Sequence, residues 1–352
     1  MEALVKRITV RDLAKELNLS LGAINKALNN KPGLRDDTRD RILKTAERMG
    51  YQVNRVAQSL ARNPIKIGII MPDVWPEYCG FLRHGINQEL NKLRDYNVIG
   101  KYYSVPGLHA SREMVEALKN CENDGMNAVI ILPNHDTDYE EYVDILYNKG
   151  MTVIALGSDF TYCKRSCCVM VNAHGSGRLA AEYMKWLIEK GKSIAVFIGN
   201  KDFKDHKEKV EGFLKEAGDN SCKITGVFET NDEPEIAYHI AGKLINDISN
   251  LGGIYIATGN SIAVCKYITE HNIENIHLIG TDLFTDIVKY VKSDVMQGVI
   301  FQDTITQGKI AIQVVYDYLV NSKDIQGNIF IKPQLILKSN IDEYYNENQV
   351  II

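Results

Sequence analysis

The sequence predicts an α/β protein: a small all-α N-terminal module followed by two doubly wound parallel-sheet subdomains. Two observations carry this. The first 50 residues hold three stretches with apolar residues at helical spacing and no alternating strand pattern. From Ile65 onward, short β-branched runs alternate with amphipathic stretches, a βα rhythm of parallel sheets buried on both faces. At 352 residues the chain exceeds one ordinary core, so more than one domain is expected.

In the N-terminal module, Thr9 is placed to cap "VRDLAKEL", with Val10, Leu13, Ala14 and Leu17 on one face. Asn18 stands at a left-handed turn position, which Asn tolerates. Ser20 is placed to cap "LGAINKALN", whose inner face is Ala23, Ile24, Ala27 and Leu28. "KPG" breaks the chain. "RDDTRDRILKTAERMG" then has acids in its first turn, Lys44 and Arg48 late, and Gly50 as a stop.

The stretch "NRVAQSLARNP" comes next. It fits two turns of helix with Val56, Ala57, Leu60 and Ala61 on one side, ended by Asn63-Pro64. Two turns do not stand alone in water, because nucleation is too costly at that length.

Ten strand candidates follow: "IKIGIIM", "NVIGKYYSV", "AVIILP", "TVIALG", "CCVMVN", "SIAVFIG", "KITGVFE", "GIYIAT", "IHLIGT" and "QGVIFQ". Helical stretches such as "SREMVEALKNCENDG" and "TQGKIAIQVVYDYLV" separate most of them. The expected division is an all-α module over 1–50, a short helix over 51–63 and a core over 64–345. Within the core, one subdomain is expected over 65–159 and 304–326, the other over 160–303 and 327–345, with three crossovers. Ligands of such folds sit at the C-terminal ends of the strands, so the cleft between the subdomains is the expected site.

Charge is uneven. Residues 1–63 carry 13 Lys+Arg against 7 Asp+Glu, and the remainder 28 against 38. A basic module on an acidic body puts any polyanion contact in the first part. No apolar run is long enough to span a bilayer, and the start has no apolar signal core, so a cytoplasmic protein is expected. The seven cysteines form no CxxC pair, which fits a reducing compartment. The trio Cys163, Cys167 and Cys168 matches no zinc spacing, and neither metal nor cofactor is expected.

The first two helices with their "NLS" turn match a helix-turn-helix, whose second helix enters the major groove. Its exposed face would be Leu21, Gly22, Asn25, Lys26 and Asn29. Lys26 and the asparagines suit base edges or phosphates. A three-helix module without a DNA role has the same periodicity. "GSGRLA" at 175–180 fits G-x-G-x-x-A, but no acidic residue ends the next strand, so the glycines are read as shaping a helix start. There is no Walker A loop, HExxH or GxSxG. Asp159, Asp282 and Asp303 follow strands without a nucleophile or metal cluster to pair with. A binding site needs only polar and aromatic groups at strand ends. Trp75, Tyr78, Asn134, His135, Asp136, Asn172, Lys209, Asp282 and Gln302 supply them.

The whole chain resembles the lactose-repressor (LacI) family of bacterial transcription regulators. The segment from "ITVRDLAKELNLS" to "NRVAQSLAR" carries this, with "IGIIMPD", "GRLAAEYM", "EGF", "GTD" and "FQDTITQG" as core landmarks. The resemblance implies a core like a periplasmic sugar-binding protein, a homodimer or a tetramer, a pseudo-palindromic operator and a small effector, a sugar or its derivative, in the cleft. It makes residues 51–63 a hinge helix that folds in the DNA minor groove. Leu60 would be the apolar wedge, with Asn54 and Arg55 by the backbone and Thr9 among the DNA contacts. It places Asp282 and Gln302 on sugar hydroxyls and Trp75 or Tyr78 against a sugar ring.

The sequence departs from the family where Ala23-Ile24-Asn25-Lys26 replaces the frequent Ser/Thr-Val-Ser-Arg. It departs again where Pro76-Glu77-Tyr78-Cys79 replaces an "NPFF"-like stretch, Asn172 an Asp, and Lys209 an Arg. An enzyme carried on a DNA-binding module is the rival reading, and it would need a catalytic pair in the cleft.

Overall fold

The structure is a computed structural model that describes residues 8–28, 31–51, 63–218, 223–346 and 349–350. The chain divides into two compact units, residues 1–63 and 64–352.

The first unit contains helices α1 (Val10–Leu17), α2 (Leu21–Leu28) and α3 (Asp36–Arg48). Thr9 caps α1 through a reciprocal box: its hydroxyl accepts Asp12 N, and its backbone N donates to Asp12 Oδ2 at 2.8 Å. Asn18 ends α1 in the left-handed region at φ 51°, and Gly50 follows α3 at φ 68°. The Ser20 hydroxyl accepts Ala23 N at the start of α2. Leu13, Ile24, Ala27, Ile42 and Ala46 form the small core. Arg41 donates to Leu17 O at the end of α1, and Arg48 pairs with Glu16 at 2.7 Å.

The second unit holds two six-stranded sheets. Strands β1 (Ile65–Pro72), β2 (Val98–Val105), β3 (Ala128–Ile131), β4 (Thr152–Leu156) and β5 (Cys167–Val171) build the first. Strands β6 (Ser193–Ile198), β7 (Lys223–Glu229), β8 (Leu251–Ile256), β9 (His277–Thr281) and β10 (Gly298–Phe301) build the second. Late edge strands β11 (Asn328–Ile331) and β12 (Gln334–Ile336) complete them, giving the orders β11-β5-β4-β3-β1-β2 and β12-β10-β9-β8-β6-β7. All pairings within these two sheets are parallel except β12 against β10. Most central strands are buried along their length, and each sheet has an apolar cluster on either face, so hydrophobic runs rather than alternation mark these strands.

Two boundaries differ from expectation. Strand β5 was expected in the second subdomain but pairs with β4 (Ala155 opposite Cys168), and β11 pairs with β5 (Ile329 opposite Val169). The first half therefore runs over 65–171 and 304–331, and the second over 173–302 and 334–346. The reason is edge pairing: β4 leaves an open edge that β5 satisfies, and β5 leaves one for β11. The three crossovers fall at 172, 302–303 and 332–333.

The "GSGRLA" glycines lie inside the helix Ala173–Leu187. A Cβ on Gly177 would stand 1.9 Å from Lys209 O, and one on Gly212 2.0 Å from His174 O. These glycines let two helices touch backbone to backbone. That close approach, rather than a phosphate, accounts for the motif.

Candidate functional site

In the helical unit, Leu21, Gly22, Asn25 and Lys26 are all exposed along α2, while Ile24 and Ala27 turn into the core. Leu21 is 44% exposed, unusual for a leucine in so small a module. The Lys26 ammonium lies near the Gly33 turn, 3.3 Å from where a Cβ on that glycine would stand. Thr9 is exposed, but its hydroxyl is engaged with Asp12. Asn29, Asn54, Arg55 and Leu60 lie outside the described residues.

In the core unit, a cavity of about 340 Å³ lies between the halves. It is lined from segments that follow the C-terminal ends of the strands: Trp75 and Tyr78 after β1, Ser158 after β4, Asp232 after β7, Asn260 after β8, Asp282 after β9. These segments flank the points where strand order reverses, β1/β3 and β6/β8, the ordinary place for a ligand in such sheets. Three non-glycine lining residues hold left-handed backbone, Trp75 at φ 49°, Asp232 at 56° and Asp282 at 67°. For a residue as bulky as Trp this conformation is costly and aims the ring from the start of the helix Pro76–Leu93.

The polar lining is organised around carboxylates. The Lys209 ammonium sits 2.6 Å from Asp205 Oδ2, one helical turn away, and the pair is almost wholly buried. Gln302 Nε2 donates to Asp282 Oδ1 at 2.7 Å, and Gln302 O accepts Gln307 Nε2. Burial pushes the Asp282 carboxyl up to about 6, against the pull of Lys209 and Gln302. The Thr258 hydroxyl donates to Asp232 Oδ1. Among the described residues Asp205 Oδ1 and Asp232 Oδ2 have no hydrogen-bond partner. Thr285 N donates to Glu77 Oε1 at 2.8 Å, tying the second half to the first.

Of the residues singled out from sequence, Trp75, Tyr78, Lys209, Asp282 and Gln302 converge on this cavity. His135 stands behind the lining, its ring 6.1 Å from Trp75 and 4.9 Å from Phe203, with Nε2 3.5 Å from Asp232 Oδ2. Burial lowers it to about 4, so it is neutral at neutral pH. Asp136 is turned away and held by His109 Nδ1 at 2.8 Å. Asn172 is outside the cavity: it is exposed and caps the helix Ala173–Leu187, accepting Gly175 N at 2.8 Å. A short polar residue at a strand-to-helix junction is drawn to the orphan N–H groups there.

Phe203, Asp205, His206, Asp232, Thr258 and Asn260 line the cavity without having been singled out. Each follows a strand of the second sheet. "IGNKDF", "ETNDEP" and "ATGN" carried that positional signal, but polar loop residues are too common for it to stand out.

Residues 67–323 match the periplasmic binding protein domain family. The chain belongs to that family. Catabolite control protein A of Priestia megaterium is 27% identical over 59% of this chain, and the match spans 60% of that protein. The HTH-type transcriptional regulator pepR1 of Lactobacillus delbrueckii subsp. lactis is 27% identical over 70% of this chain and 74% of its own length. The crystal structure of a putative LacI transcriptional regulator from Bacteroides fragilis aligns with TM-score 0.71 at 18% identity, covering 80% of this chain and 100% of that one. The likeness to LacI-type regulators read in the sequence stands with these matches. Among the described residues no helix is long and apolar enough to cross a membrane.

Proposed function

We propose that this periplasmic binding protein domain family member is a cytoplasmic, ligand-responsive transcription regulator. As a homodimer it binds a pseudo-palindromic operator through α2. A small polyhydroxylated molecule, a sugar or sugar derivative, enters the cleft and shifts closure of the two halves. The observation that carries the reading is the cleft itself, where aromatic faces meet carboxylates with unused acceptor oxygens in a cavity sized for a small ligand. Ionised carboxylates accept hydrogen bonds only, which suits hydroxyl donors. The exposed face of α2 on a basic module supports the DNA half of the reading, and the regulator names of the relatives agree with it. A ligand acts on DNA affinity only through its differential affinity for the open and closed core.

The test has two arms. Selection from random duplexes with the full chain should enrich an inverted repeat, and a sugar panel should raise the melting temperature. A ligand at 100 times its dissociation constant stabilises by about 2.7 kcal/mol. Failure to enrich any duplex sinks the regulator assignment. A flat response to every sugar sinks the effector class.

A further inference from the structure

The cleft holds more negative charge than its own residues neutralise. Asp205, Asp232 and Asp282 all line it with side chains nine-tenths or more buried. Lys209 is the single Lys or Arg among the described lining residues, and Asp205 takes its ammonium at 2.6 Å. His206 lines the same wall, but burial lowers its pKa, and His135 behind it is neutral. Asp232 and Asp282 are left with neutral donors, the Thr258 hydroxyl and the Gln302 amide. Among the described residues Asp232 Oδ2 has no hydrogen-bond partner, with the neutral His135 ring nitrogen 3.5 Å away. Asp282 feels only the ammonium of Lys209, which Asp205 already takes, and carboxylates so placed in a buried cavity are expensive unless a further opposite charge arrives. Around them stand Trp75, Tyr78, Phe203 and Phe284, whose ring faces also attract cations.

We infer that the ligand of this cleft is a monosaccharide-sized polyol carrying a protonated amine, an amino sugar or aminocyclitol, with the ammonium set against Asp232 and Asp282. The inference rests on the proposed polyhydroxylated effector and narrows it. Hydroxyls on the ring use the remaining acceptors. A sugar phosphate or sugar acid is repelled, because the one ammonium among the described lining residues is already paired. A zwitterionic amino acid fails for the same reason at its carboxylate. An N-acetylated amine carries no charge and loses the advantage.

The test is calorimetry on the purified full chain at pH 7 with matched trios: glucosamine, glucose and N-acetylglucosamine, then the galactose and mannose counterparts. In at least one trio the free amine should bind about tenfold or more tighter than both neutral members, in line with a charge-assisted bond. The isosteric variants Asp232→Asn and Asp282→Asn should each reduce that ratio. Two variants are used so that a folding defect in one leaves the other to answer. If a neutral sugar binds as well as its amine, this inference is wrong while the effector reading survives. If no member of any trio binds, both fall together. If the amine preference survives in both Asn variants, the ammonium is bound elsewhere and the assignment to this pair is overturned.

Discussion

Lys204 Nζ lies 2.6 Å from Asp159 Oδ2, an ion pair that joins the second half of the core to the first. Asp159 is also gripped by Arg165 through Nε and, at 2.7 Å, Nη2, both within the first half. Burial pushes the carboxyl up, but these two cations outweigh it and hold the group below its usual range. Arg165 positions the acid, and Lys204 makes the bridge.

Lys204 is 40% exposed, so Lys204→Ala should change unfolding free energy by no more than about 1 kcal/mol. It should instead favour the open core and weaken cleft ligands by up to about fivefold, because only the closed fraction binds. Small-angle scattering and ligand titration check this. An unchanged radius of gyration and unchanged affinity would mean the bridge does not restrain closure.

Asp282 gives a pH signature. Its folded pKa, about 6, lies above the unfolded value, so its contribution is fully present below the unfolded pKa and is lost as pH rises through 6. Asp282→Asn removes that cost while keeping an acceptor for Gln302. The variant should gain on the wild type between about pH 4 and pH 7, by on the order of 2–3 kcal/mol at the upper end. Urea titrations at four pH values measure the difference. A parallel pair of curves would contradict the shifted carboxyl.

Lys209 and Asp205 are a buried pair, so removing one charge should cost far more than removing both. Lys209→Met alone should destabilise by about 3–5 kcal/mol, and adding Asp205→Asn should restore much of it. A double-mutant cycle by denaturant melts reads the coupling. Additive losses would show that the two charges do not compensate each other.

Gly177→Ala should destabilise the core, since its Cβ would meet Lys209 O at 1.9 Å and must push two helices apart. Overpacking of this kind costs about 1–3 kcal/mol, and more where backbone is the obstacle. The same shift moves Lys209, so cleft affinity should fall too. A melting temperature equal to wild type would refute the close approach.

On the DNA side, Lys26→Ala should cost about 1–3 kcal/mol on the selected operator and relax one position per half-site if the ammonium reads a base. Equal losses on all duplexes, with a shallower salt slope, would assign it to phosphate. Binding unchanged on both would take it out of the interface.

The sequence by itself determined the elements. The strand segments from "IKIGIIM" to "QGVIFQ" and helices α1–α3 were legible because apolar periodicity, caps such as Thr9 and stops such as Gly50 act within a few residues. Position at strand ends singled out Asp282, Gln302 and Lys209 for the cleft, and likeness to known regulators gave the first two a role on sugar hydroxyls. Tertiary structure decided the rest. The membership of β5 depends on which sheet edge is open, and a buried strand of "CCVMV" reads the same for either edge. Asn172 looked like a ligand contact and became a cap, because backbone N–H groups at the helix start compete for the same oxygen. Asp205 and Asp232 emerged as site residues only after two sheets brought distant loops together. The charge balance of the cleft belongs to that assembled space and to no single stretch of chain, because burial and pairing set the cost of each charge.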